Sequence, residues 1–233
     1  VLFAADPSEA LLDQDAQDSA LAFARHVGHV IQEQGAVVSL FEDADLARPT
    51  IDAFLAAEDD RFFQHPGVDW RGLLRAAVNL VRTGEKTQGG STITMQLARN
   101  YFLTRERTYD RKIREIFLAL RMEEELTKEQ ILETYLNKIF LGQRAYGVGA
   151  AAMTYFGVPV EELTLSQTAV LAGLPKAPSR DNPVESPARA RDRRDYVLRR
   201  MYSLDLIDRG EYEVALEEPV IASLLPVAVE VDA

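Results

Sequence analysis

The stretch Ala56-Ala57-Glu58-Asp59-Asp60-Arg61-Phe62-Phe63-Gln64-His65-Pro66-Gly67 puts three consecutive acids between a helical apolar run (Ile51, Phe54, Leu55) and a turn closing on Pro66-Gly67. Adjacent carboxylates repel one another. Like charge and partial burial both disfavour ionisation, which is how a carboxylate is tuned for proton transfer. Two readings stand side by side here. In one, the acids are a solvated helix end and Phe62 and Phe63 plug the core. In the other, Glu58 is a working carboxylate, and the rest of the chain has to decide.

The surrounding composition narrows the choice. The chain has 233 residues, 47% of them apolar, enough for one large domain or a domain with a small lobe. A formal charge of −11 argues against nucleic-acid binding. Acids load the start (Asp6, Glu9, Asp13, Asp15, Asp18), and no Lys or Arg follows Arg209. The middle is basic instead, with Arg99, Arg105, Arg107, Arg111, Lys112 and Arg114 in one short window, a pattern that suits an anionic ligand. There is no cysteine, so disulfides and thiol chemistry are excluded. No apolar run approaches the ~18–20 residues that cross a bilayer. The N-terminus lacks a signal peptide's basic start and cleavage site. The chain as given is therefore read as soluble or peripheral.

Periodicity predicts a mostly α protein. Residues 8–33 read as a helix ended by Gly35, and Val37-Val38-Ser39-Leu40-Phe41 as a strand. His26 and His29 lie three apart on that helix, and without further His or Cys nearby a surface or core role is expected for them. Pro49 is expected to start a short helix leading into Glu58. Further helices are predicted over 69–82, Thr92 to about Phe102, 106–126, Lys128–Asn137, Ser166–Leu174 and 188–203. Ser91 is the expected N-cap of the second of these, and Thr127 with Gln130 caps Lys128–Asn137. In 106–126, Ile113, Ile116, Phe117 and Leu120 are expected to form the buried stripe, with Arg107, Arg111 and Glu115 on another face. The stretch Thr83–Gly90 reads as a polar, glycine-rich loop flanking a site.

Two constellations add chemistry. Gly89-Gly90 lets backbone approach a ligand, and the helix start at Ser91 presents N–H groups to an anion, followed by Thr92, Thr94, Gln96, Arg99 and Asn100. It is not a nucleotide P-loop, because the Gly-Lys-Ser/Thr ending is missing. A well-capped helix with a polar outer face would show the same residues. The Arg107/Arg111/Glu115 face is more telling. An acid placed after its basic partner is the weaker order, worth ~0.2–0.5 kcal/mol at best, so helix stability explains it poorly. A carboxylate base, a cationic cluster for a departing diphosphate and a second carboxylate make up an inventory for glycosyl transfer from a sugar diphosphate.

These residues also resemble a family, the peptidoglycan glycosyltransferase domain of class A penicillin-binding proteins and of monofunctional transglycosylases. Five motifs carry the resemblance, in order, across roughly residues 36–205. They are Glu58–Gly67, Gly90-Ser91-Thr92-Ile93-Thr94-Met95-Gln96-Leu97-Ala98-Arg99-Asn100, Arg111-Lys112-Ile113-Arg114-Glu115, Ile131-Leu132-Glu133-Thr134-Tyr135-Leu136-Asn137, and Ala172-Gly173-Leu174-Pro175-Lys176-Ala177-Pro178 followed by Asn182-Pro183. Met95 stands where the family usually has glutamine, and Arg99 where lysine is commoner.

The resemblance implies a mainly α, lysozyme-like bilobal fold with a large helical lobe and a small membrane-proximal lobe. Residues 36–205 would be the transferase domain, 1–35 an acidic helical segment of unclear role and 206–233 an acidic C-terminal segment. The implied reaction polymerises lipid II into glycan strands, inverting the anomeric centre and releasing undecaprenyl diphosphate. Glu58 matches the family's general base and Glu115 its second essential glutamate. Arg99, Arg107, Arg111 and Lys112 match diphosphate-holding positions, while Ser91, Thr94 and Gln96 match substrate contacts. Asp59 and Asp60 would neighbour the base and shape its proton affinity, with Asp59 counted among the substrate-binding residues. A divalent cation, magnesium or manganese, often assists in this family without an organic cofactor, and Asp59 and Asp60 are the residues that could hold it. The implied partners are lipid II, the growing strand, the membrane surface and other cell-wall synthesis proteins, at the outer face of the bacterial cytoplasmic membrane. Moenomycin is the expected inhibitor. No transpeptidase motif set is present, so the chain reads as a transferase-only protein or a piece of a longer one. The alternatives are a lysozyme-like glycan hydrolase, which needs no diphosphate cradle, and a catalytically idle lipid II-binding module.

Overall fold

A computed structural model describes residues 44–84, 90–102 and 109–222. The predicted helix over 8–33, the strand Val37–Phe41, loop residues 85–89, Arg107 and residues 223–233 lie outside the described residues. The described residues form nine α-helices and no strand, with one isolated antiparallel bridge between Phe140 and Tyr146. The architecture is thus mainly α, consistent with the lysozyme-like class expected. Two compact units divide the chain: residues 61–135 belong to one, residues 44–60 and 136–222 to the other.

In the first unit, Asp69 opens α2 (Trp70–Thr83): its carboxylate accepts the Gly72 N–H and pairs with the Arg61 guanidinium. α3 (Ile93–Phe102) is capped by Thr92, whose Oγ1 accepts the Met95 N–H at 3.2 Å and donates to the Gly67 carbonyl. The expected cap Ser91 is bonded elsewhere. α3 packs on α4 (Tyr109–Glu125) around Val68, Met95 and Ala119, with Leu73, Ile116 and Leu120 against them. Thr127 and Gln130 form the expected reciprocal cap at the start of α5 (Lys128–Lys138).

The predicted stripe of α4 is corrected. Ile113 and Phe117 are more than half exposed, while Glu115, Leu118, Ala119 and Met122 are buried. Period alone marks which residues share a face, not which face turns inward. Here the inner face carries Glu115 beside Leu118, Ala119 and Met122, and pairing with two cations lets that acid be buried there.

In the second unit, α1 (Ala44–Glu58) packs on α7 (Leu165–Gly173) and α8 (Pro187–Ser203). Pro49 lies inside α1 rather than at its start. The helix tolerates the missing N–H because Ile51, Ala53 and Phe54 are buried just beyond it. α6 (Val148–Phe156) also packs on α7. Residues 206–222 pack on the same unit. α9 (Arg209–Glu217) lies on α7 and α8, and the buried Arg194 donates to Ser166 Oγ at 3.2 Å, to the Leu216 carbonyl at 2.9 Å and to the Glu218 carbonyl.

Candidate active site

The predicted site residues fall in both units. In the second unit, Glu58 is the last residue of α1, half-buried. Asp59 is buried and its N–H continues the helical ladder to the Leu55 carbonyl at 2.9 Å. Asp60 turns outward to Arg200 Nη2 at 2.7 Å, and the same guanidinium donates through Nε to the Ala56 carbonyl at 3.2 Å. The acid triplet is therefore divided among three environments. Arg200 was not singled out in the sequence, since nothing near residue 200 marks it as the partner of an acid 140 positions away.

In the first unit, Glu115 is 1% exposed. Lys112 Nζ donates to its Oε2 at 2.8 Å and to Ser91 Oγ at 2.8 Å. Arg111 Nη1 lies 3.0 Å from Glu115 Oε1 as an ion pair; that oxygen accepts no hydrogen bond among the described residues. One buried carboxylate thus fixes two cations and, through Lys112, the hydroxyl preceding α3. The local charge is a net positive one, with the Lys112 head about a third exposed, 35%, toward solvent. Such an arrangement can meet an anion with two pre-oriented donors and no reorganisation.

The other predicted contacts divide. Arg99 is half-buried on α3 and Gln96 is buried, its Oε1 3.5 Å from the Tyr135 hydroxyl. Thr94 is 0% exposed, and its hydroxyl donates to Glu123 Oε1 at 2.6 Å, so it faces the interior of its own unit. Met95 is core. Ile131, Leu132, Tyr135 and Leu136 of the fourth motif are buried. In the fifth, Asn182 Oδ1 accepts the Val184 and Glu185 N–H groups and its Nδ2 donates to the Pro178 carbonyl, folding the turn. Among the described residues no three His, Cys, Asp or Glu come together to hold a metal, and Asp60 is committed to Arg200.

With that geometry in place, a family model described as Transglycosylase matches residues 26–202. The chain belongs to the transglycosylase family. It is 51% identical over 202 residues to penicillin-binding protein 1A of Pseudomonas aeruginosa, covering 83% of this chain and 25% of that one. A Cupriavidus necator protein provisionally named a transglycosylase is 54% identical over 176 residues, 75% of each chain. A solved structure of Haemophilus influenzae penicillin-binding protein 1A matches at 44% identity with a TM-score of 0.41, over 57% of this chain and 17% of that one. The assignment therefore rests on sequence. The chain spans about a quarter of the length of the penicillin-binding protein 1A relatives it matches.

Proposed function

We propose that this chain is a peptidoglycan glycosyltransferase that joins lipid-diphosphate-linked disaccharide units, of the lipid II class, into glycan strands. The observation that carries the reading is the buried Glu115 with Lys112 and Arg111 on its two oxygens and Ser91 on the same ammonium. A hydrolase has no anion to hold there. In the reaction, a Glu58 oxygen takes the proton of the acceptor 4-hydroxyl as the hydroxyl oxygen attacks C1 of the donor sugar. The C1–O bond to the diphosphate breaks with inversion, and its electron pair leaves on the undecaprenyl diphosphate. Lys112 and Arg111 meet that charge, with Arg99 as a further cation on α3, while Glu115 fixes the orientation of the first two.

The substrate's lipid tail also gives a meaning to α2. Trp70, Leu74, Val78 and Val81 are all more than half exposed and recur at helical spacing along one side, and the exposed Arg71, Arg75 and Arg82 flank them. This is the composition of a helix lying in a bilayer interface. No helix among the described residues is long and apolar enough to cross a membrane. We place the chain at the outer face of the cytoplasmic membrane, where other cell-wall synthesis proteins would be its neighbours. The test is to supply purified protein with lipid II in detergent or vesicles and look for glycan chains whose formation moenomycin stops. Absence of polymer, with lipid II bound and unchanged, would leave the idle binding module standing. Release of reducing sugars from finished strands would support the hydrolase.

A further inference from the structure

The first unit holds a second, part-buried ion pair that the transfer chemistry above does not use. Glu123 Oε1 accepts from Lys128 Nζ at 2.7 Å and from Thr94 Oγ1 at 2.6 Å. The same ammonium donates to the His65 carbonyl at 2.7 Å and sits 4.3 Å over the Phe62 ring centroid. Its donors are thus divided between one carboxylate and the backbone of the loop that begins at Arg61, three residues after Glu58.

The placement works against both helices. Glu123 lies in the last turn of α4 and Lys128 is the first residue of α5, so each charge opposes its helix dipole. Burying an ion pair is also a poor route to stability in itself. Yet the loop is drawn tightly onto this pair. Gly67 has a φ of +78°, and a Cβ there would meet the Ala119 carbonyl oxygen at 2.8 Å and Glu123 Cγ at 2.9 Å. Thr92 holds the Gly67 carbonyl, while Lys128 holds that of His65. Within the loop, the Gln64 and Gly67 N–H groups close onto the Arg61 and His65 carbonyls, and the ties from outside come from Thr92 and Lys128. Thr94 joins the start of α3 to the same carboxylate.

We infer that Lys128 and Glu123 are positioning residues for the transfer reaction, acting through the Arg61–Gly67 loop and the start of α3 that carries Ser91. The inference rests on the glycosyltransferase reading, and it predicts a defect in turnover rather than in binding. The experiment compares the parent with K128M, K128R and T94V, measuring kcat and KM with lipid II and hydrogen exchange at the amides of residues 61–67. K128M should lose at least about tenfold in kcat with KM within about threefold. K128R, which keeps the donors, should return to within about threefold of the parent, and loop amides should exchange at least about tenfold faster in K128M alone. A K128M kcat within twofold of the parent, an equal loss in K128M and K128R, a loss confined to KM, or unchanged loop exchange would each overturn the inference. Should K128M not fold, T94V decides by itself, since it deletes one hydrogen bond at nearly constant shape: a lowered kcat supports the staple and an unchanged one sinks it. A parent that makes no polymer would refute the proposed function, whereas loop exchange would still decide whether the staple exists.

Discussion

Lys112→Met tests whether Glu115 and its cations form one energetic unit. The substitution removes a hydrogen bond of 2.8 Å to a carboxylate that is 1% exposed, and another of 2.8 Å to Ser91. Stripping one partner from a fully buried ion pair costs about 3–5 kcal/mol. Two features lower that figure here. Arg111 remains 3.0 Å from the other oxygen, and the Lys112 side chain is 35% exposed, so water replaces part of what is lost. A charge-assisted hydrogen bond discounted in this way leaves about 1–2 kcal/mol. For a chain of this size that lowers Tm by about 2–8 °C. Glu115→Gln alone leaves two cations beside a neutral amide and should cost a similar amount. The decisive measurement is the double-mutant cycle by urea or thermal unfolding, in which the pair should be coupled by about 1 kcal/mol. Single costs that simply add, to within about 0.3–0.5 kcal/mol, would mean the ion pair is a coincidence of geometry.

Three further outcomes are expected. Glu58→Gln should keep the fold and the affinity for lipid II but lower polymerisation by about 100-fold or more, read by chain formation beside a binding assay; turnover at the parent rate would remove Glu58 as the base. Burial pushes the Asp69 carboxyl up, but the Gly72 N–H and the Arg61 guanidinium outweigh it and hold the group below its usual 3.8. A lowered value stabilises the fold above the unfolded pKa and ceases to do so as pH falls through the folded one. Asp69→Asn should therefore melt below the parent at about pH 5 and above, the two converging toward about pH 2–3; a gap that widens in acid would contradict this. Val81→Glu, at a side chain 89% exposed, should leave Tm within about 2 °C and weaken sedimentation with anionic vesicles. Unchanged vesicle binding would return the outer side of α2 to ordinary surface.

Local signals were legible in the sequence and distant partners were not. The Thr127/Gln130 cap and the extents of α3, α5, α7 and α8 follow from capping chemistry and periodicity within a few residues. Two of the motifs also come together, since Glu115 and Ser91 both bond the Lys112 ammonium. What failed was orientation. Ile116 and Leu120 of the expected stripe of α4 do pack on the core, but Ile113 and Phe117 are exposed and the inward face carries the paired Glu115 beside Leu118, Ala119 and Met122. Ser91 was the expected cap of α3, but Lys112 engages its hydroxyl and Thr92 caps the helix instead. α9 could have been found: Asp208 and Glu211 form a capping box, a pattern readable without any structure. Lys128, by contrast, meets its loop across 63 residues, and no local pattern announces that.

The acid triplet shows how such distant partners make a local liability workable. Three carboxylates at the C-terminal end of α1 face the negative end of its dipole, so neither charge repulsion nor the helix favours them there. Arg200 answers both problems with one group, pairing with Asp60 and donating to the Ala56 carbonyl in the last turn of α1. Asp59 goes inward, so Glu58 is the acid left half-buried at the helix end. A solvated helix end would need no such apportioning, since three exposed acids could simply spread into water. The separation of Glu58 from the environments of its two neighbours is what the structure adds to the motif, and Glu58→Gln is the test of the proposed base.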